Sequence, residues 1–236
     1  MSLLGCSTPQ HDSPTLTVFA AASLRSTFTE LGATFEQQHP GTTVSFNFAG
    51  SSDLVAQLVQ GAPGDVLASA DTETMAAAVD AGLISGTPVE FAANTLTIVT
   101  APGNPRHIRN FVDLTEAGTQ VVVCAPQVPC GSVTEKVEQA AGIALSPVSE
   151  ESAVTDVLGK VISGQADAGL VYVTDARAAG NKVDVVPFAE SAGVVNTYPI
   201  AMLAGSRNQR AAAQFVELVT GPHGRKTFTA AGFVIR

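Results

Sequence analysis

Two junctions near the start of the chain carry residue types suited to holding an anion: Phe19-Ala20-Ala21-Ala22-Ser23-Leu24 and Phe48-Ala49-Gly50-Ser51-Ser52-Asp53-Leu54. Each runs from an apolar, strand-like segment through small residues onto a serine, then into a helical pattern. A serine there can cap a helix, and its hydroxyl and the free N–H groups of the first turn face whatever lies beyond the strand. Two such junctions in one sheet make an anion receptor without a positive side chain. The chemistry is hydrogen-bond donation rather than bond making. Taken alone, a serine before a helix is most often only a cap, and Ser52 can replace Ser51 in either role.

Positioning these junctions requires a sheet whose strands end together. Residues 16–21 read as a buried strand, and Leu24, Phe28, Leu31 and Phe35 then recur at helical spacing until Pro40-Gly41. Val44, Phe46 and Phe48 alternate as a strand, and Leu54, Val55, Leu58 and Val59 continue as a short helix ending at Gly61. Residues 65–69 read as a third strand and 72–81 as a third helix. This order implies a parallel sheet covered on both faces.

The segment 96–100 and the loop Pro102-Gly103-Asn104-Pro105 lead into a second α/β series. It comprises a strand at 121–124, helices at 132–141 and 152–163, and strands at 168–173 and 183–188. Residues 198–203 read as a strand and 211–218 as a helix with a short tail. The expectation is two α/β lobes: residues 16–95 with 198–236, and residues 96–197. The chain crosses between them near 95 and again near 197. Ligands in such folds sit beyond the carboxyl ends of the strands.

Composition narrows the function. With 12 basic against 21 acidic residues and a net charge of −9, the chain lacks the clustered cations that nucleic acid requires. A small anion is still admissible, because the field that binds it is local. There is no GxSxG elbow, P-loop or HExxH motif, and His11, His39, His107 and His223 are scattered without metal-ligand spacing. Leu3-Leu4-Gly5-Cys6 matches the bacterial lipobox, which makes Cys6 a lipidation site and residues 1–15 a remnant and flexible tether. The charged and apolar parts of a signal peptide are missing, so the chain is expected to begin near the mature end. Cys124 and Cys130 read either as a disulfide in an oxidising compartment or as two buried free thiols.

The segments TVFAAASL (17–24), FAGSSDLVAQLVQGAPGDVLASAD (48–71), VPCG (128–131), SAVTDVL (152–158), AGLVYVTDA (168–176) and TYPIA (197–201) occur in one order. Together they resemble the molybdate-binding proteins that serve as substrate receptors of bacterial ABC importers. The resemblance covers the chain from about Thr15 to its end. It implies a type II periplasmic-binding-protein fold, two lobes joined by a two-strand hinge with one tetrahedral oxyanion between them. Carried over by position, the ligand residues are Ser23 and Ser51 on the first lobe and Cys130, Val154 and Tyr172 on the second. The family commonly has a small residue such as alanine where Cys130 stands, and only its N–H is needed. With the lipobox, the resemblance points to an extracytoplasmic receptor, lipid-anchored through Cys6 and expected as a monomer. Its ligand would be molybdate or tungstate, its partner the importer's permease, and it would need no cofactor.

The residue types suit that ligand. Molybdate and tungstate are dianions without a proton at neutral pH, so their site needs donors only. Hydroxyls at Ser23, Ser51 and Tyr172 and amides at Ser51, Cys130 and Val154 supply them. Ser132 and Glu135 form a capping-box pattern that would put Cys130 just outside a helix N-terminus. Val154 falls in the first turn of the helix after Ser152, where it is also a core residue by periodicity. Tyr172 also reads as an ordinary buried tyrosine. The rival readings are the same fold tuned to sulfate, thiosulfate or another oxyanion, a serine enzyme lacking any evident base, and a ligand-free lipoprotein scaffold.

Overall fold

The computed structural model describes residues 15–236, so Cys6, His11 and the tether lie outside the described residues. Strand β1 (Thr15–Ala21) is buried over most of its length and turns through a short 3-10 helix, Ala22–Leu24, into α1 (Arg25–Gln38). The stripe Phe28, Leu31 and Phe35 is the buried face of α1. Next come β2 (Thr43–Ala49), α2 (Ser51–Val59), β3 (Val66–Ala68) and α3 (Thr72–Asp80). The long strand β4 (Ile84–Asn94) runs on through Thr95 into β5 (Leu96–Thr100). The second series is β6 (Val121–Cys124), α4 (Pro129–Ala141), β7 (Ser149–Glu151), α5 (Val154–Ile162), β8 (Ala168–Tyr172), α6 (Val173–Ala179) and β9 (Asp184–Val186). The chain closes with β10 (Asn196–Leu203), α7 (Gln209–Thr220), α8 (Pro222–Ala231) and β11 (Val234–Ile235).

These strands form two sheets, ordered β11-β4-β10-β3-β1-β2 and β7-β6-β8-β5-β9. The sequence led us to expect mostly parallel sheets, and both are instead mixed. Only β3-β1-β2 and β7-β6-β8 are parallel. A parallel pair needs a crossover, usually a helix, that returns the chain to the same end. Strand β10 instead arrives from the second sheet and inserts antiparallel between β3 and β4. Strand β5, arriving from the first, pairs antiparallel with β8 and β9.

Three further differences share a cause in Pro and Gly. Strand β4 escapes notice because Gly86 and Pro88 interrupt its pattern and only its last four residues are buried. The expected short tail contains helix α8, and α4 begins at Pro129 rather than Ser132. Proline reads as a stop, yet at the first helical position its missing N–H costs nothing.

Each sheet has its own core. Around the first, Phe28 is ringed by Phe46, Phe91, Phe215 and Phe228 at centroid distances of 5.9 to 6.3 Å. Burying each such ring stabilises by roughly 1.5–3 kcal/mol. The second core is rich in valine, with Phe111 stacked on Phe188 at 5.3 Å. Two crossings join the sheets, and they are paired in register as Asn94 opposite Asn196. Among the described residues no helix is long and apolar enough to cross a membrane.

Candidate functional site

On the first sheet, both serine junctions end neighbouring parallel strands, so they lie side by side. Ser23 sits in the turn after β1, with its hydroxyl 3.1 Å from that of Tyr198. Ser51 is the first residue of α2 and is buried. Its oxygen accepts the N–H of Ala70, which follows β3, at 3.0 Å. With a lone pair of its oxygen already engaged, the Ser51 hydrogen is free to point at a ligand. The neighbouring Ser52 donates instead to the carbonyl of Gln127 at 2.7 Å, a bond from α2 to the loop before α4.

On the second sheet, α4 begins one residue before Cys130, so Cys130 lies inside its first turn and not just outside it. The expected Ser132–Glu135 capping box is not made: α4 has no side-chain cap, and the Ser132 hydroxyl faces Glu73 at 3.4 Å. Cys124 and Cys130 are bonded as a disulfide that ties the end of β6 to this turn. A loop that short stabilises the fold by roughly 2 kcal/mol on the chain-entropy model. Gly131 is required beside it, since a Cβ there would stand 1.8 Å from the Ala125 carbonyl oxygen. Val154 is the first residue of α5, its side chain in the valine-rich core. The N–H groups of Cys130 and Val154 belong to first turns, where helices offer no internal acceptor.

Tyr172 ends β8 and is buried. Its backbone N–H donates to the Asp175 carboxylate at 3.2 Å, and its phenol oxygen accepts from Asn196 at 2.5 Å. Burial drives the Tyr172 and Tyr198 phenols well above their ordinary range, with Tyr198 next to Tyr172 and Asp175 next to Tyr198 as the second causes. Both therefore keep their protons at any physiological pH.

The structure brings Ser23, Ser51, Cys130, Val154 and Tyr172 onto the wall of one cavity between the two sheets; Ser52 is not on it. The rest of the wall is largely small and uncharged, with Ala21, Ala22, Ala49, Gly50, Ala70 and Ala153 among it. About 20 Å³ is open to the centres of water-sized spheres. That is a chamber on the scale of a few water-sized atoms, suited to a small compact guest. No sugar or peptide fits. No charged side chain lines the wall, so what it offers a guest is neutral donors.

Close backbone contact narrows the cavity on one side. A Cβ on Gly50 would stand 2.0 Å from the Ser152 carbonyl oxygen on the other side. Outside, Lys136 on α4 pairs with Glu73 on α3 at 2.9 Å, and the exposed Glu73 carboxyl is held below its usual range by that hydrogen bond. Two carboxyls lie nearby. Asp71 caps α3 through the Thr74 N–H and is raised mainly by burial. Asp175 is pushed up to about 7 by burial.

Sequence reasoning missed Asn94, Asn196 and Tyr198, which stand at the crossings. Only Tyr198 fell within a matching motif, and a lone aromatic in an apolar strand carries no signal of its own. Of the histidines, His39 is half-buried against Phe35, and His107 and His223 are exposed. No group of three His, Cys, Asp or Glu residues is placed to hold a metal ion among the described residues.

Comparison with known proteins agrees with this geometry. The model of the family described as "Bacterial extracellular solute-binding protein" matches residues 16–234. The "Molybdate-binding protein ModA" of Mycobacterium tuberculosis (strain H37Rv) is 55% identical over 225 residues, 95% of this chain and 86% of that protein. Among solved structures, the Azotobacter vinelandii periplasmic molybdate-binding protein superposes with a TM-score of 0.79 at 22% identity, covering 94% of this chain and 99% of that one. The sulfate-binding protein SubI from Mycobacterium tuberculosis H37Rv also gives 0.79, at 19% identity over 93% and 86% of the two chains. The last two show the fold alone. The family is one of binding proteins rather than enzymes, and with nearly the whole described chain matched, this chain belongs to the bacterial extracellular solute-binding proteins.

Proposed function

We propose that this chain is the receptor of a molybdate importer: it captures molybdate, and tungstate with it, between two hinged lobes and hands it to an ABC permease. The lobes are residues 16–95 with 198–236, and residues 96–197, with the hinge at the Asn94 and Asn196 crossings. Cys6 would carry a lipid that keeps the monomer at the outer side of the cell membrane. The single observation that carries the reading is the cavity wall, which meets a small anion with hydroxyls and helix-start amides and no charged side chain. Each donor to a dianion contributes roughly 1.5–3 kcal/mol, so the set outweighs desolvation without a cation. The 55% identity to a molybdate-binding protein names the metal oxide among the candidates.

Closure follows from contacts made from both lobes at once, because a ligand shifts a conformational equilibrium only by binding one state better. Size would separate molybdate from sulfate, a smaller tetrahedral dianion that leaves donors out of reach. Calorimetric titration with sodium molybdate, tungstate, sulfate and thiosulfate tests the reading. The first two should bind at least about a hundredfold more tightly, a difference of about 2.7 kcal/mol. Sulfate binding as tightly as molybdate would reassign the chain to the sulfate reading.

A further inference from the structure

The return crossing places a buried amide directly behind the site. Asn196, the first residue of β10, is buried, and its Nδ2 lies 2.5 Å from the Tyr172 phenol oxygen and 3.2 Å from the Pro129 carbonyl oxygen. The two ends of an amide side chain are distinguished by the network around them. A carbonyl oxygen can only accept, so the group facing Pro129 must be the NH₂. Both of its hydrogens are then committed, one to Pro129 and one to Tyr172. The Tyr172 oxygen consequently accepts, and its own hydrogen is left for another acceptor, the neighbouring Tyr198 hydroxyl or a guest in the cavity. Burial keeps that hydrogen in place, and the hydroxyl belongs to a residue on the cavity wall.

We propose that Asn196 is a positioning residue of the anion site: by donating to the Tyr172 oxygen it obliges the Tyr172 hydroxyl to serve as a donor to the bound oxyanion. The arrangement at Ser51 is parallel, with the Ala70 N–H filling the lone pair and releasing the hydroxyl hydrogen. A hydroxyl that is free to rotate both donates and accepts. One whose oxygen already accepts from a fixed donor is pre-oriented, and no reorientation opposes binding. Asn196 also faces Asn94 across the paired crossings, so the residue that orients the donor stands at the hinge, while both groups it donates to belong to the second series of elements.

This proposal rests on the oxyanion-receptor reading, and a double-mutant cycle separates their failures. Sodium molybdate would be titrated calorimetrically into the parent, Asn196→Ala, Tyr172→Phe and the double variant, with ligand-free melting curves as the control for folding. Each single change should weaken binding about tenfold or more, and adding Asn196→Ala to Tyr172→Phe should cost no more than about threefold further. Should the alanine variant fail to fold, Asn196→Ser carries the same cycle, its hydroxyl falling short of both acceptors. Losses that simply multiply, or an Asn196 variant that binds like the parent, would overturn the positioning role while leaving the receptor reading intact. A parent protein that binds no molybdate would overturn both.

Discussion

At the scale of single residues, adjacent serines have opposite duties. Ser51 accepts a backbone hydrogen, which leaves its own free for a guest, whereas Ser52 gives its hydrogen to Gln127. The two oxygens are in different solvent as well, Ser51 buried and Ser52 half-buried. Ser51→Ala removes a donor and leaves the Ala70 N–H without its partner, so molybdate affinity should fall by about 1–3 kcal/mol. Ser52→Ala should cost less than half as much, since water can replace its bond. Titration of the two variants side by side checks the assignment, and equal losses would move the ligand contact away from Ser51. The sequence could not choose between them, because both stand at a helix start. The decision lies with Ala70, nineteen residues on, and with Gln127 in the loop before α4.

At the scale of elements, four helix or turn starts converge because strands of two sheets end against one another. Gly50 marks how close they come, with backbone facing the Ser152 carbonyl and no room for a methyl group. Gly50→Ala should therefore wedge the docked arrangement apart, costing about 1–3 kcal/mol in molybdate binding. Ligand-free melting should change much less, because the clash lies between the sheets and not within either core. Equal losses in melting and binding would contradict this. The elements flanking the site were legible: the apolar alternation and helical spacing around Ser23, Ser51 and Val154 mark β1, β2, α2 and α5. Legibility failed where proline begins a helix, at Pro129 and Pro222, and where β4 hides its strand character behind Gly86 and Pro88. It failed too at Asn196, whose importance depends on which strand lies beside it.

At the scale of the whole molecule, a chain with net charge −9 gathers its acids away from the cavity wall yet keeps two carboxyls close by. Asp175 is pushed from the ordinary 3.8 to about 7 by burial, so the folded protein holds that proton more firmly than the unfolded chain does. Its contribution to stability is complete below about pH 4 and is lost as pH rises through about 7. Asp175→Asn keeps an acceptor for the Tyr172 N–H and removes the buried charge. Its melting temperature should exceed the parent's at pH 8, with the gap closing toward pH 5, and a gap unchanged with pH would refute the assignment. Groups with lowered values, such as Glu73 and Asp167, act in the opposite direction but are common to both proteins. The first sheet's side of the wall, all alanine, glycine and serine, has a consequence for ancestry. Almost nothing on that side can be trimmed, so mutation there can readily make the chamber tighter but can enlarge it only by shifting main chain. A lineage seeking a bulkier cargo would have to trim the opposite side, at Val128, Val154 or Tyr172, or re-angle helices, whereas one seeking a smaller anion needs little more than an added methyl group.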